Sequence, residues 1–167
     1  MGRYRPPQPA KSPYITAAGY ACLERESRDL WVRRRDVVKA LSEAAAEGDR
    51  SENAEYIYRK KQLREMDRRI RYLQKRLPDL KVVDTPPGNL EQVFFGAWVS
   101  LEDGDGAEQT YRIVGADEFD PKKGWISVDS PMAHALLKRR LDDEVAVETP
   151  LGRREFVITS IRYHEPT

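Results

Sequence analysis

Between Tyr20 and Glu47 the chain carries neither proline nor glycine, and Leu23, Leu30, Val37 and Ala44 recur at every seventh position. Seven residues make almost two helical turns, so the spacing predicts one long helix with a continuous apolar column. Trp31, Val38 and Ala45 stand beside that column as a second one, and Leu41 bridges the last two turns. Arg33, Arg34 and Arg35 fall toward solvent, although Arg34 lies near the seam and is expected to snorkel. At 1.5 Å per residue such a helix is about 45 Å long, too long to be buried in a chain of 167 residues. A second pattern follows a short break. Tyr56, Leu63, Ile70 and Leu77 form one column, Met66 and Leu73 another, and Pro78 ends it. Adjacent helices with matching seams pack antiparallel, so residues 14–83 are expected to form an antiparallel coiled-coil hairpin.

The break is Gly48-Asp49-Arg50-Ser51-Glu52-Asn53. Gly48 ends a helix at little steric cost, and Asp49 is a good N-cap for the next one. Glu52 three residues later completes a capping box, which by itself accounts for both acids. The alternative is chemical: two carboxylates at an exposed tip complete the shell of a hard divalent cation such as Mg²⁺. Two are too few for a dedicated cage, so another molecule would hold most of the metal. In a two-metal site, one cation activates water and the other stabilises the leaving oxygen of a phosphodiester.

The net charge of +1 conceals a strong asymmetry. Residues 1–83 hold 20 Lys/Arg against 12 Asp/Glu, and residues 84–167 hold 9 against 16. Such halves have different partners. The excess is densest in the second helix, where Arg59, Lys60, Lys61, Arg64, Arg68 and Arg69 are followed by Arg71, Lys75 and Arg76, opposed only by Glu65 and Asp67. A phosphate-contacting surface and an ordinary solvated face both fit this run.

Residues 1–13, with Pro6, Pro7, Pro9 and Pro13 among Arg3, Arg5 and Lys11, are expected to be a flexible basic tail. Thr16 offers an N-cap to the first helix. Residues 84–90, containing Asp-Thr-Pro-Pro-Gly, are expected to be a linker, and residues 91–167 a second domain with a different period. Phe94–Leu101, Gln109–Val114, Trp125–Val128, Glu144–Val147 and Glu155–Ile161 read as strands, with turns at Asp103–Gly106 and Thr149–Gly152. Pro131 suits the first turn of a short helix capped by Ser130. The fold class is therefore α+β: a helical hairpin, then a small, mostly antiparallel β domain with one short helix. No apolar run approaches the roughly 18 residues of a membrane span, and no signal-peptide pattern is present. Cys22, the only cysteine, cannot form an internal disulfide and fits a reducing cytoplasm. His134 and His164 lack partners at zinc-ligand spacing.

The stretch Gly48 to Tyr56, Gly-Asp-Arg-Ser-Glu-Asn-Ala-Glu-Tyr, resembles the tip signature of the bacterial Gre transcript cleavage factors. Tyr14-Ile15-Thr16, Phe94-Phe95-Gly96-Ala97-Trp98-Val99 and Asp129-Ser130-Pro131-Met132-Ala133 agree in position, so the likeness covers about residues 14–163. Arg50, the basic run and Phe94-Phe95-Gly96 resemble the GreB branch more than the GreA branch. The resemblance implies an FKBP-like second domain, a monomer, and no stably bound cofactor. It implies that the second domain docks at the rim of the RNA polymerase secondary channel, with Ser130, Pro131 and Met132 near the contact. The coiled coil enters the channel, where Asp49 and Glu52 share Mg²⁺ with the polymerase and stimulate its hydrolysis of backtracked RNA. Arg50, Arg59, Lys60, Lys61, Arg64, Arg68 and Arg69 would then face the channel and the extruded RNA 3′ segment. The chain would be an activator and not itself the enzyme. Competing readings are a channel-binding regulator without cleavage, a free RNA- or DNA-binding coiled coil, and an independent prolyl isomerase. The acid pair at the tip favours cleavage over mere blocking.

Overall fold

Each heptad pattern becomes a helix. In the computed structural model, which describes Tyr4, residues 6–48 and residues 52–166, α1 spans Ala17–Ala45 and α2 spans Ala54–Arg76. With 29 residues, α1 is about 43 Å long. Its buried residues are Leu23, Leu30, Val37 and Ala44, the expected column, and those of α2 are Met66, Ile70 and Leu73. The helices run antiparallel: Glu26 meets Arg69, Arg34 meets Asp67, and Ala44 meets Asn53, so numbers rise along α1 as they fall along α2. The second column on α1 is not part of the seam, since Trp31 and Val38 are 43% and 39% exposed. One column of α1 faces α2, and the flank that holds Trp31 and Val38 stays open to solvent. Arg34 does more than snorkel. Its Nε lies 2.7 Å from Asp67 Oδ1, and this hydrogen bond and the carboxylate charge push its pKa up.

Both ends of the hairpin are tied to the rest of the chain by two short strands. β1 (Tyr14–Thr16) and β2 (Lys81–Val83) pair in parallel, Tyr14 opposite Lys81 and Thr16 opposite Val83. A 3₁₀ turn over Leu77–Asp79, carrying Pro78, connects α2 to β2. By contacts the chain divides into residues 20–80 and a second unit of 1–19 with 81–167. On that division β1 and β2, inside the expected hairpin range of 14–83, group with the second unit, which also holds the expected domain range of 91–167. Residues 84–90 form neither helix nor strand. The end of the expected tail is anchored too. Pro13 O accepts from Lys81 N at 2.8 Å, and the Ser12 backbone N–H and hydroxyl both donate to the Asp129 carboxylate.

The second unit is built on a five-stranded sheet of β3 (Trp98–Asp103), β4 (Glu108–Val114), β5 (Trp125–Ser127), β6 (Glu144–Thr149) and β7 (Gly152–Arg162), in the order β5-β4-β3-β7-β6. Every neighbouring pair is antiparallel except β4 with β5. Alternate residues point inward, and Val99, Leu101, Val145, Val147, Phe156 and Ile158 are buried with α3 (Pro131–Leu136) packed over them through Ala133 and Leu136. β3 starts at Trp98, later than the expected Phe94. Gly96 takes φ +87°, a left-handed turn that strand geometry does not allow, and Ala97 N bonds back to Phe94 O. The turn at Asp103–Gly106 forms as expected, with Asp103 Oδ1 accepting from Asp105 N and Ala107 N.

Thr16 caps the first helix as expected, but its carboxylate partner has no precedent in the sequence pattern. The Glu118 carboxylate accepts from Thr16 N (3.1 Å), the Thr16 hydroxyl and Gly115 N (2.7 Å), while Thr16 Oγ1 caps α1 by accepting from Gly19 N at 3.1 Å. The anion sits at the positive end of the helix dipole. Gly19 leaves room for it: a Cβ there would lie 2.0 Å from Glu118 Oε1.

Candidate functional site

The tip is closed by a residue other than the expected one. α1 ends at Ala45, Gly48 follows with φ +131°, and α2 begins at Ala54 with Asn53 as its N-cap. Asn53 Oδ1 accepts from Tyr56 N at 3.0 Å, and its Nδ2 donates to Ala44 O at 2.7 Å. One side chain thus satisfies an orphan donor of α2 and reaches across to α1, where Ala44 O also accepts from Glu47 N at 3.2 Å. The capping box of Asp49 with Glu52 is therefore not what starts the helix. A cap must reach an N–H two or three residues ahead, and residue 49 is too far from Ala54. Glu52 precedes the cap, is exposed, and makes no hydrogen bond or ion pair among the described residues. Asp49 and Arg50 lie outside the described residues. Glu52 fits a cation ligand in that its carboxylate has no partner among the described residues. Among the described residues no three His, Cys, Asp or Glu side chains converge as a metal cage.

The basic run resolves into two groups. Arg59 Nε bonds Glu55 Oε1 at 2.8 Å and its NH1 bonds Gln62, while Arg69 holds Glu26 across the hairpin at 2.8 Å. Lys60 lies 5.8 Å from the Tyr56 ring centroid. These side chains support the helices. Lys61, Arg64, Arg68, Arg71 and Lys75 are exposed and have no carboxylate partner among the described residues. Their spacing of three and four aligns them on the side of α2 opposite Met66, Ile70 and Leu73. Arg71 and Lys75 thus belong with Lys61, Arg64 and Arg68, and Arg59 and Arg69 do not. The i, i+3, i+4 spacing carried this signal; the partners of Arg59 and Arg69 sit on neighbouring turns and on the other helix.

In the second unit Ser130 Oγ accepts from Ala133 N at 3.2 Å as the N-cap of α3, and Pro131 at the first turn is exposed. Met132 is half-buried against the core, so only part of it faces outward. Beside Ser130 opens an apolar concavity of about 430 Å³ lined by Tyr111, Phe119, Trp125 and Ile126, with Phe119 61% exposed. Sequence patterning did not mark it, because its aromatics come from separate turns and strands. Arg112 stacks 4.0 Å from the Trp98 centroid and 5.2 Å from that of Trp125. Burial pulls its pKa down, opposed by the charges of Glu118 and Glu165.

Comparison with known proteins places these features in a family. Residues 13–82 match the model described as transcription elongation factor, N-terminal, and residues 87–163 match that of transcription elongation factor, GreA/GreB, C-term. The chain is 59% identical over 165 residues to transcription elongation factor GreB of Xanthomonas axonopodis pv. citri, covering 98% of each chain. It is 56% identical over 164 residues to the GreB of Pseudomonas aeruginosa, again covering 98% of each. A solved structure of the transcription factor Gfh1 is 28% identical, with a TM-score of 0.45 over 91% of this chain and 98% of that one. The tip sequence, the seam and both matched models agree, and the chain belongs to the GreA/GreB family of transcription elongation factors.

Proposed function

We propose that the chain is an elongation factor that enters the secondary channel of RNA polymerase and stimulates the polymerase's own hydrolysis of backtracked nascent RNA. It releases 3′ fragments and rescues arrested complexes. The chain activates that nuclease and is not itself one. The observation that carries the reading is Glu52: an exposed carboxylate, free of any capping duty, beside a tip that Asn53 holds closed. The kinship with GreB proteins supports it.

In this reading Asp49 and Glu52 are the carboxylates offered to a Mg²⁺ that the polymerase holds mainly by its own ligands. Bound there, Mg²⁺ supplies activation of the attacking water and neutralises charge on the leaving oxygen. The chain's own work is placement. The seam keeps α1 and α2 together, Asn53 pins the turn between them, and Arg50, Lys61, Arg64 and Arg68 line the path of the extruded RNA 3′ segment. Lys60 adds charge nearby, while Arg59 and Arg69 hold the helices that present the others. Ser130 and Pro131, with the exposed part of Met132, dock at the channel rim. The five-stranded domain is FKBP-like, and the factor acts as a monomer in the cytoplasm.

The test is transcript cleavage in a stalled, backtracked elongation complex with Mg²⁺, with and without the protein. Release of short 3′ fragments only when both partners are present is the expected result. Efficient hydrolysis of free RNA by the protein alone overturns the reading, as does a backtracked complex that it leaves unchanged.

A further inference from the structure

The basic stripe of α2 has an apolar head. Ile57 continues the register of Lys61, Arg64 and Arg68 one turn toward the tip, and Tyr58 stands beside it; they are 53% and 58% exposed. Neither belongs to the seam of Met66, Ile70 and Leu73: Ile57 lies opposite it, and Tyr58 stands on the flank between seam and stripe, one turn before Lys61. The Tyr58 ring makes no hydrogen bond among the described residues. The Arg59 guanidinium lies 5.4 Å from its ring centroid, and that group is itself held by Glu55 and Gln62. A large aromatic ring left in water beside a fixed cation has no folding reason to be there. It does have the chemistry of a stacking surface: single-stranded nucleic acid is held by cations along its phosphates and aromatic rings against its bases.

We infer that Tyr58 is a base-stacking residue. Its ring is the platform for a nucleobase of a single-stranded RNA whose phosphates lie along Lys61, Arg64 and Arg68; Lys61, three residues on, is the cation next to it, and Ile57 heads the stripe itself. The inference rests on the reading of the hairpin as a guide for extruded RNA, and adds to it a contact with the base in place of the phosphate. Charge complementarity selects the occupant: the platform is continuous with five cations that no carboxylate of the described residues neutralises. An apolar protein wall would find those cations an obstacle.

Two measurements decide the matter. In backtracked complexes, Tyr58→Leu is expected to slow cleavage about tenfold, within the range set by stacking of one base, while Tyr58→Phe retains the parental rate. When the extruded nucleotides are replaced by ribose phosphates lacking their bases, parent and Y58L are expected to cleave equally. Y58L acting within about twofold of parent on ordinary RNA overturns the inference. So does an equal loss on the baseless RNA, which would assign the ring to the protein wall. The second measurement needs no polymerase. At low salt the full chain is expected to bind a short single-stranded RNA more tightly than its baseless counterpart, and Y58L to erase that difference. A parent that does not distinguish the two RNAs overturns the stacking role, whatever the outcome for cleavage. A parent that distinguishes them but fails to stimulate cleavage overturns the elongation-factor reading alone. Circular dichroism of both variants should match the parent, since the side chain is exposed.

Discussion

The hairpin and the sheet domain bury their residues in different ways, and the contrast separates scaffold from chemistry. Among the described residues, the hairpin buries one file of α1 against residues from both columns of α2, and its cross-links include the pairs of Arg34 with Asp67, Arg69 with Glu26 and Asn53 with Ala44. The sheet domain closes a core from several strands and α3, and ties its polar groups to backbone far away in sequence, as Glu118 does with Thr16. The hairpin therefore leaves its outer faces to water and to partners. Glu52 and the stripe from Lys61 to Lys75 are there because the helices do not need them. Where a side chain has no structural partner, substitution should change function and spare the fold. Where it has several, the reverse should hold.

The sharpest break of that contrast is at the tip. Asp49→Asn with Glu52→Gln is expected to reduce stimulated cleavage by at least about 100-fold, the upper end of what even the outer-sphere partners of a metal cost. Neutral amides are poor ligands for Mg²⁺. Because Asn53 is the cap, the thermal melt should not shift, and the variant should still compete with the parent for polymerase. Cleavage within about twofold of parent by a folded, competing variant would remove the carboxylates from the mechanism.

The opposite pole is Glu118. Glu118→Gln can keep one accepting oxygen for the Thr16 and Gly115 N–H groups, but it puts an NH₂ against the Thr16 hydroxyl, which loses the acceptor it donates to. Leaving such donors unpaired costs about 1–3 kcal/mol, to be read from denaturant unfolding. Gly19→Ala should act in the same direction, because its Cβ would displace the carboxylate. If Glu118→Gln melts with the parent, the clamp contributes nothing and the two units differ less than their bonding suggests.

How far this was legible in the sequence depends on range. Leu23, Leu30, Val37 and Ala44 were legible because a seven-residue period is local and a single seam obeys it. Ser130 with Pro131 was legible for the same reason, since a cap and its N–H lie three residues apart. Asp49 and Glu52 misled because their spacing satisfies the capping pattern, while Asn53 has the better position against Ala44, a partner that only the folded hairpin supplies. Trp31 and Val38 fall beside the seam by period, and period alone does not say how wide a neighbour is. Glu118 with Thr16, 102 residues apart, left no trace in any local pattern. The strands β1 and β2 are three residues each, too short for alternation to register.

Within the hairpin, the division of the basic residues supplies a third comparison. Lys61, Arg64 and Arg68 changed together to Ala should weaken cleavage about tenfold and flatten its salt dependence by roughly two logarithmic units per unit of log salt, given a slope of about 0.7 per contacted phosphate. Arg59 with Arg69 changed to Ala should leave the salt slope nearly intact and shift the melt slightly, because exposed pairs are worth about 0–1 kcal/mol. Equal salt slopes in the two variants would mean that the sorting by partners has no bearing on RNA.

The smallest expected effect tests the sheet domain by pH. The Tyr163 hydroxyl donates to Gln92 O and accepts from Phe94 N at 2.8 Å. Burial pushes its pKa above the ordinary value of 10.0, and the Phe94 hydrogen bond offsets only part of this. The folded state therefore keeps a proton that the unfolded chain gives up near pH 10. Above that point the native state binds more protons than the unfolded one, so stability is full below pH 10 and falls as the pH rises toward the folded value. Tyr163→Phe cannot ionise. It should lose about 0.5–1.5 kcal/mol at neutral pH with the hydrogen bond to Gln92, and should then show a shallower loss in alkali than the parent. The gap between the two unfolding curves should narrow as the pH rises past 10. A constant gap would show that the phenol ionises alike in both states, and that this corner of the sheet domain is as open to water as the flank of the hairpin.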